Sequence, residues 1–190
     1  MPVWFPNLTR RLNYRDHRKI VIIDGLIGYV GGVNICDLYV NWEDSELYWR
    51  DTHSRIEGHA VKSLQTQFLY NWDFLTYEKV EIKEEFFPKV KIEENVAVQI
   101  ASSGPDTDFA NIMEVILLAI TTAENYIYIT TPYFIPNDEI LTALCTTSRS
   151  GVDVKLIIPY TGDSWAAKYA TNSYIEQMLE SGIEVYHYCK

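Results

Sequence analysis

Short apolar runs rich in β-branched residues alternate with longer amphipathic segments along most of the chain. Such runs, bounded by turn residues, predict β-strands. The predicted strands cover residues 19–24, 27–30, 52–57, 96–101, 126–130, 152–158 and 184–188. Their alternation with helical segments predicts an α/β fold, in which helices flank a sheet.

The segments between these strands have the spacing of amphipathic helices. Helices are predicted at residues 60–75, 108–123 and 138–149, and from Ser164 to near Gly182. In the helix at 108–123, one apolar stripe is formed by Met113, Ile116, Leu117 and Ile120. Asn137 is a favourable N-cap for the helix at 138–149, and Gly151 follows its C-terminus.

The pattern changes between residues 78 and 94, where six Glu and four Lys surround two phenylalanines and a proline. A charged, solvated connection is the simplest interpretation of this segment. The predicted organisation is therefore a first part at residues 1–77, a linker at 78–95 and a second part at 96–190. The second part is a regular series of strands and helices, whereas the first begins as though the front of an equivalent unit were missing.

Composition narrows the class of protein. The 190 residues are 47% hydrophobic and 22% charged, which is typical of a folded globular chain. The formal net charge of −10 is opposite to that of a general nucleic-acid binder. The sequence contains no apolar run long enough for a transmembrane helix. Three cysteines at unrelated spacings fit neither a disulfide framework nor a zinc site.

The segment most informative about chemistry runs from residue 17 to residue 34. It contains His17, Lys19 and Asp24 in the spacing H-x-K-x4-D, followed after six residues by Gly31, Gly32, Val33 and Asn34. Because side chains alternate along a strand, His17 and Lys19 are expected on one face, where both can reach the same anion. The two glycines permit a close backbone approach, and Asn34 offers an amide donor.

This set of residues suits attack on a phosphoryl group. A neutral histidine can act as the nucleophile, while Lys19 and Asn34 can stabilise charge on the phosphoryl oxygens. No metal ion or cofactor is predicted. An isolated His-x-Lys pair is more often an ordinary surface pair, but here six positions fit one template. The other histidines, His53, His59 and His187, lack a lysine two residues later, and we interpret His53 and His59 as structural.

The motif resembles the first catalytic motif of the phospholipase D superfamily, and its surroundings resemble the cardiolipin synthase family. The resemblance to the cardiolipin synthase family rests on six segments: NYRDHRKIVIIDG at 13–25, GYVGGVNICD at 28–37, YWRDTHSRIEG at 48–58, SSGPD at 102–106, TPYFIP at 131–136 and SGVDVKLIIP at 150–159. These segments extend across almost the whole chain. The resemblance implies a phospholipase D-like mixed sheet flanked by helices, with the two-half architecture of the family only partly present.

The resemblance also implies a reaction. In the family, one motif histidine attacks the phosphodiester of phosphatidylglycerol to give a phosphohistidine, and a second motif histidine protonates the leaving glycerol. A second phosphatidylglycerol then completes the exchange to cardiolipin, without a metal. Carried over to this chain, His17, Lys19 and Asp24 are the catalytic residues, and Lys19, Asn34, Gly31 and Gly32 bind the substrate phosphate. Which of the two family histidines is the nucleophile is left open.

This sequence departs from the family pattern in two ways. Many relatives carry an acidic residue where this chain has Leu38, with Asp37 and Glu43 as candidate replacements. A second H-x-K-x4-D motif is absent from the 190 residues. The isolated chain is therefore expected to be an inactive fragment of a bacterial enzyme, and a homodimer that brings two copies of His17 together is the less favoured arrangement.

The expected partners are phosphatidylglycerol or another anionic phospholipid and a membrane surface, with no nucleic acid. By resemblance, the site is expected at the cytoplasmic face of the cell membrane. Two alternatives remain open. One is a phosphodiesterase that uses water as the acceptor, either a lipid hydrolase or a nuclease, and the other is a noncatalytic phosphate-binding module. The acidic balance of the chain disfavours the nuclease.

Overall fold

The computed structural model describes residues 16–43, 48–76, 79–91, 96–104, 107–162 and 164–189. The chain divides into two compact units, residues 1–100 and residues 101–190. Each unit contains a three-stranded sheet, so the fold is mixed α/β as the sequence predicts. Residues 78 and 92–95 of the predicted linker, residues 13–15 of the segment at 13–25 and residues 105–106 of the segment at 102–106 lie outside the described residues.

The first unit is an antiparallel sheet with one helix. Its elements are β1 (Lys19–Ile23), β2 (Ile27–Gly31), β3 (His53–Glu57) and α1 (Ala60–Thr76), and the strand order is β1-β2-β3. Asp24 and Gly25 both have positive φ, 54° and 66°, and they form the tight turn of the β1–β2 hairpin. The amide of Leu26 closes this turn by donating to the carbonyl of Ile23 at 3.0 Å.

Helix α1 lies against one face of this sheet. Val61 and Leu64 are fully buried, and a methyl group added at Gly28 would lie 2.7 Å from Leu64 Cδ1. Gly28 therefore allows the helix to approach β2 closely. Because side chains alternate along a strand, Ile20, Ile22 and Ile56 share this covered face with Gly28.

Part of the predicted linker packs on the hairpin turn. The residues Glu84–Phe86 form a short 3-10 helix. A methyl group at Gly25 would lie 2.7 Å from both the Phe86 carbonyl oxygen and Pro88 Cδ. Residues 84–88 thus pack tightly against the end of the hairpin. The division of the chain at 78–95 stays a prediction.

The second unit is a parallel sheet with three helices among its described residues. Its elements are α2 (Asn111–Thr121), β4 (Tyr126–Thr130), α3 (Asp138–Arg149), β5 (Asp153–Pro159), α4 (Trp165–Glu180) and β6 (Glu184–Tyr188). The strand order is β4-β5-β6. Its core includes Leu144, Cys145, Leu156, Met178 and Ile183, all at most 1% exposed. The Asn137 side chain caps α3 by accepting a hydrogen bond from the Ile140 amide at 3.1 Å, as the sequence predicts.

One predicted strand is wrong. Residues 96–101 form no strand, and Val96 and Val98 are 74% and 48% exposed. A strand requires a neighbour for its backbone hydrogen bonds, and no strand within the described ranges pairs with this segment. The apolar alternation of residues 96–101 therefore indicated a strand, but this segment has no neighbouring strand to form backbone hydrogen bonds with.

No helix of the described residues is both long and apolar enough to cross a bilayer.

Candidate functional site

The structure brings His17 and Lys19 into direct contact at the start of β1. Lys19 Nζ lies 2.9 Å from both His17 ring nitrogens and donates to the His17 carbonyl oxygen at 2.8 Å. The ammonium and the imidazole are therefore close enough to contact one bound anion together. His17 is exposed and Lys19 half-buried, which leaves both groups open to a ligand.

Arg18, between them in sequence, is held elsewhere. Its guanidinium donates to the Asn71 side chain of α1 at 3.1 Å and lies 3.7 Å from the Asp16 carboxylate. Asn71 in turn donates to the same carboxylate. Arg18 therefore ties the start of β1 to helix α1 on the covered side, while His17 and Lys19 project from the opposite side. This arrangement agrees with the alternation expected from the sequence.

The face that carries Lys19 is the open face of the sheet. The strand register pairs Lys19 with Gly31, and Gly31 with His53, so these three residues form one row across the three strands. Directly paired residues project from the same face. The next row on this face includes Val21, which is 46% exposed, and Arg55, which is also exposed. The site is therefore a shallow, accessible surface at one end of the sheet.

Gly31 makes room for strand β3. A methyl group at Gly31 would lie 2.6 Å from His53 Cα and 2.7 Å from His53 Nδ1, and it would also collide with the Thr52 carbonyl oxygen. Two of these three atoms belong to backbone, so no side-chain rotation would relieve the clash. The absence of a side chain at Gly31 is a requirement of the sheet, and it leaves space that the His53 ring enters.

Gly32 faces a carboxylate. A methyl group there would collide with the carboxylate oxygens of Asp51, and Asp51 Oδ1 accepts a hydrogen bond from the Thr52 amide at 2.6 Å. The Gly32 amide is also occupied, because it donates to the Thr52 carbonyl at 3.1 Å. The negative charge of Asp51 disfavours a phosphate directly at Gly32. Gly31 is consequently the better of the two glycines for a phosphate to approach.

Asn34 lies three residues beyond β2 and is exposed. Its amide donates to the Tyr39 hydroxyl at 3.0 Å, and the Tyr39 ring packs against Trp49 with 5.6 Å between ring centroids. Asn41 closes the same loop, because its side chain accepts from the Trp49 amide at 2.7 Å and donates to the Trp49 carbonyl at 2.9 Å. These contacts hold residues 34–41 next to Trp49.

Asp24 lies apart from the other motif residues. It occupies the hairpin turn, and five residues of strand at about 3.3 Å each place it about 17 Å from Lys19. A carboxylate at that distance cannot touch a phosphate held by His17 and Lys19. The structure thus brings together His17, Lys19 and Gly31, with Gly32 beside them, while the catalytic role of Asp24 stays a prediction.

Sequence reasoning did not find two residues of this end of the sheet. His53 and Asp51 are separated from the motif histidine by more than thirty positions, and only the pairing of β2 with β3 brings them there. The segment at 48–58 is among those that resemble a known family. However, His53 has no lysine two residues later, and the sequence therefore favours a structural role for it. The adjacent glycines Gly31 and Gly32 were the available signal for these two residues, because missing side chains indicate that another part of the protein packs closely there.

Comparison with known proteins gives this geometry a context. A family model described as "Cardiolipin synthase, PLD-like domain" matches residues 116–190. Cardiolipin synthase of Geobacillus thermodenitrificans is 40% identical over 190 residues, which is 100% of this chain and 38% of that protein. Cardiolipin synthase 2 of Bacillus anthracis is 43% identical over 190 residues, with 100% and 37% covered. Residues 116–190 match a PLD-like domain, and the whole chain is similar to bacterial cardiolipin synthases.

The likeness includes the motif segment, because the matches to whole proteins extend over the complete chain. The chain spans 38% of the length of the Geobacillus thermodenitrificans relative. Among solved structures, polyphosphate kinase from Porphyromonas gingivalis shares 17% identity over 44% of this chain and 12% of that chain, with a TM-score of 0.33. That similarity is too slight to inform either fold or function.

Proposed function

We propose that this chain carries the phosphoryl-binding and nucleophilic part of a cardiolipin synthase-like phosphatidyltransferase. The observation that supports this most is the contact of Lys19 Nζ with the His17 ring at 2.9 Å on the open face of the sheet. This pair places a nucleophile, His17, next to a cation that can bind the phosphoryl oxygens, Lys19, at the start of strand β1. The similarity to cardiolipin synthases along the whole chain supports a phospholipid as the substrate.

The proposed reaction has two displacements at phosphorus. First, a ring nitrogen of His17 bonds to the phosphorus of phosphatidylglycerol, the bond from phosphorus to the glycerol oxygen breaks, and glycerol leaves with a proton from a general acid. Second, a hydroxyl of another phosphatidylglycerol gives its proton to the resulting base and attacks phosphorus, and the phosphorus–nitrogen bond breaks. Two phosphatidylglycerol molecules thereby give cardiolipin and glycerol, and His17 is regenerated.

Lys19 has two tasks in this proposal. Its ammonium holds a non-bridging oxygen of the substrate, and it stabilises the charge that develops there in the transition state. Asn34, on the loop after β2, is proposed as a second donor to the phosphate. The general acid is the role that the family gives to a second motif histidine. Because this sequence contains one such motif, we propose that the chain on its own completes no transfer to cardiolipin.

Exposed apolar side chains beside the motif favour a lipid over a nucleic acid. Directly after Asn34, the loop exposes Ile35, Leu38, Val40 and Trp42, of which Trp42 is 63% exposed and Ile35 fully so. Apolar and tryptophan side chains of this kind insert at a lipid interface, whereas a nucleic-acid site needs cations along its path. We therefore propose that the site works at a membrane surface, with the cytoplasmic face carried over from the family as a prediction.

The proposal is tested by phosphatidyl transfer in detergent micelles that contain radiolabelled phosphatidylglycerol. The chain is compared with His17→Ala and with His59→Ala, a matched control at another exposed histidine of the same unit. Cardiolipin, phosphatidic acid and labelled protein are measured. We expect labelled protein, without cardiolipin, from the unmodified chain and from His59→Ala, and no labelled protein from His17→Ala.

The alternatives give different results. Phosphatidic acid in place of cardiolipin would indicate a lipid hydrolase. Binding of the lipid without any product or labelled protein would indicate a noncatalytic phosphate-binding module. Equal products from the unmodified chain and His17→Ala would refute the proposal.

A further inference from the structure

We infer that His53 is a second phosphate-contacting imidazole of this site, which holds the lipid phosphate from the side opposite to Lys19, with Gly31 beneath it. This inference rests on the proposed function, since it adds a residue to the same phosphoryl site. It gives His53 a ligand-binding role in place of the structural role that the sequence suggests. The residue lacks the motif spacing and reaches the site only through the pairing of β3 with β2.

The strand register sets the position of His53. Lys19, Gly31 and His53 form one row, so the side chains of Lys19 and His53 stand on the same face with one strand between them. Two inter-strand spacings put their Cα atoms about 10 Å apart. A long lysine and an imidazole can lean from both sides of that gap onto one tetrahedral phosphate, because donors lie about 3 Å from the oxygens they bind.

The glycine keeps the gap open. His53 Nδ1 would lie only 2.7 Å from a methyl group at Gly31, so the imidazole leans over β2 and toward Lys19. Any side chain at this position would occupy the space between the two groups. The same absence of a side chain that lets β3 pair closely thus also lets the imidazole lie over Gly31, on the side of β3 that faces Lys19.

The imidazole of His53 is available for a ligand. Within the part of the chain that the structure describes, its ring makes no hydrogen bond, ion pair or ring contact, and the residue is exposed. By contrast, His17 is in contact with Lys19, and His187 packs edge-on against Tyr160 at 6.0 Å. A ring N–H of His53 can donate to a phosphate oxygen in either protonation state of the ring.

Asp51 confines the phosphate to this row. Its carboxylate lies against Gly32, the next residue toward the end of the sheet, and would repel an anion placed there. Lys19 and His53 attract it at Gly31. Lys19 and His53 thus offer a cation and a hydrogen-bond donor at Gly31, whereas a carboxylate lies at Gly32.

The test is a titration with dihexanoyl phosphatidylglycerol, followed by the carbon–proton NMR signals of the histidine rings and by the dissociation constant. The variants are His53→Ala, Lys19→Met and the matched controls His59→Ala and Lys83→Met, which change an exposed histidine and an exposed lysine of the same unit. We expect the ring signals of His17 and His53 to shift on binding, while that of His59 stays in place. His53→Ala should weaken binding about tenfold, as expected for loss of one hydrogen bond to a charged group.

The outcomes separate this inference from the proposed function. If Lys19→Met weakens binding while His53→Ala binds as the unmodified chain does and the His53 signal is unmoved, the inference is wrong and the proposed site stands. If the unmodified chain does not bind the lipid, or Lys19→Met binds equally well, the proposed function fails and the inference with it. A variant with His53→Gln, which keeps a hydrogen-bond donor, should recover part of the lost affinity.

Discussion

The substitutions Leu64→Ala and Gly28→Ala should compensate each other in their effect on stability. This compensation tests the register of strand β2, on which the site depends. Leu64 is 1% exposed, so Leu64→Ala should cost about 2–5 kcal/mol of unfolding free energy. Gly28→Ala places a methyl group 2.7 Å from Leu64 Cδ1 in a packed interior, and should cost about 1–3 kcal/mol through overpacking. In the double variant the new methyl group enters space that Leu64 has left.

The loss in the double variant should therefore be smaller than the sum of the single losses by at least about 1 kcal/mol. The assay is urea unfolding followed by tryptophan fluorescence, because four of the five tryptophans lie within residues 1–100. Phe74→Ala, on the same helix but 80% exposed, is the control partner and should add to Gly28→Ala without coupling.

Additive losses from Gly28→Ala and Leu64→Ala would refute the packing described here. A one-residue shift of β2 moves all of its side chains to the other face of the sheet. Gly28 would then no longer face α1, and Gly31 would no longer stand in a row with Lys19 and His53. The double-variant cycle thus tests the structural basis of the site without any assay of activity.

Three further predictions concern the second unit. Thr171→Val should cost about 1–3 kcal/mol, because the buried Thr171 hydroxyl accepts the Phe134 amide at 3.2 Å and its loss leaves that amide unpaired. The control is Asn172→Ala, at the neighbouring, exposed residue. Equal melting temperatures of Thr171→Val and the unmodified chain would contradict this role of Thr171. Asn137→Ala should cost about 1 kcal/mol through loss of the α3 cap, whereas Asn137→Ser should retain most of it, as measured by urea unfolding. The hydrogen bond from Tyr128 and the charge of Lys155 lower the pKa of Asp153 in the folded chain. This carboxylate therefore contributes stability at a pH above the pKa of the unfolded chain, near 3.8, and the contribution is lost as the pH falls below that value. Asp153→Asn and Tyr128→Phe should each flatten the decline in stability on acidification, and an unchanged profile would contradict the role of this group.

The elements best predicted from sequence are those with local signals. Helix α3 has the predicted bounds because Asn137 caps one end and Gly151, with φ of 103°, follows the other. Strand β4 also has the predicted bounds. The contact of His17 with Lys19 agrees with strand alternation, which acts over two residues. These features depend on neighbours in the chain.

The features that sequence did not predict depend on partners far along the chain. The apolar run at 96–101 has the composition of a strand, but composition does not supply a neighbouring strand. Asp24 is close to Lys19 in sequence, yet an extended strand separates them by about 17 Å. His53 is distant in sequence, yet it lies in the same row as Lys19. Pairing between strands, which no spacing rule describes, decides the first and third cases, and the extended backbone of β1 decides the second.

The central claim is that His17 becomes covalently attached to the lipid phosphate. The most direct measurement is intact-protein mass spectrometry of the chain after incubation with dihexanoyl phosphatidylglycerol, with fragmentation to locate any adduct. The account predicts a mass increase equal to one dihexanoyl phosphatidyl group, located on His17, absent in His17→Ala and present in His59→Ala. An adduct on another residue, an adduct that persists in His17→Ala, or unmodified protein at a lipid concentration that saturates binding would contradict it.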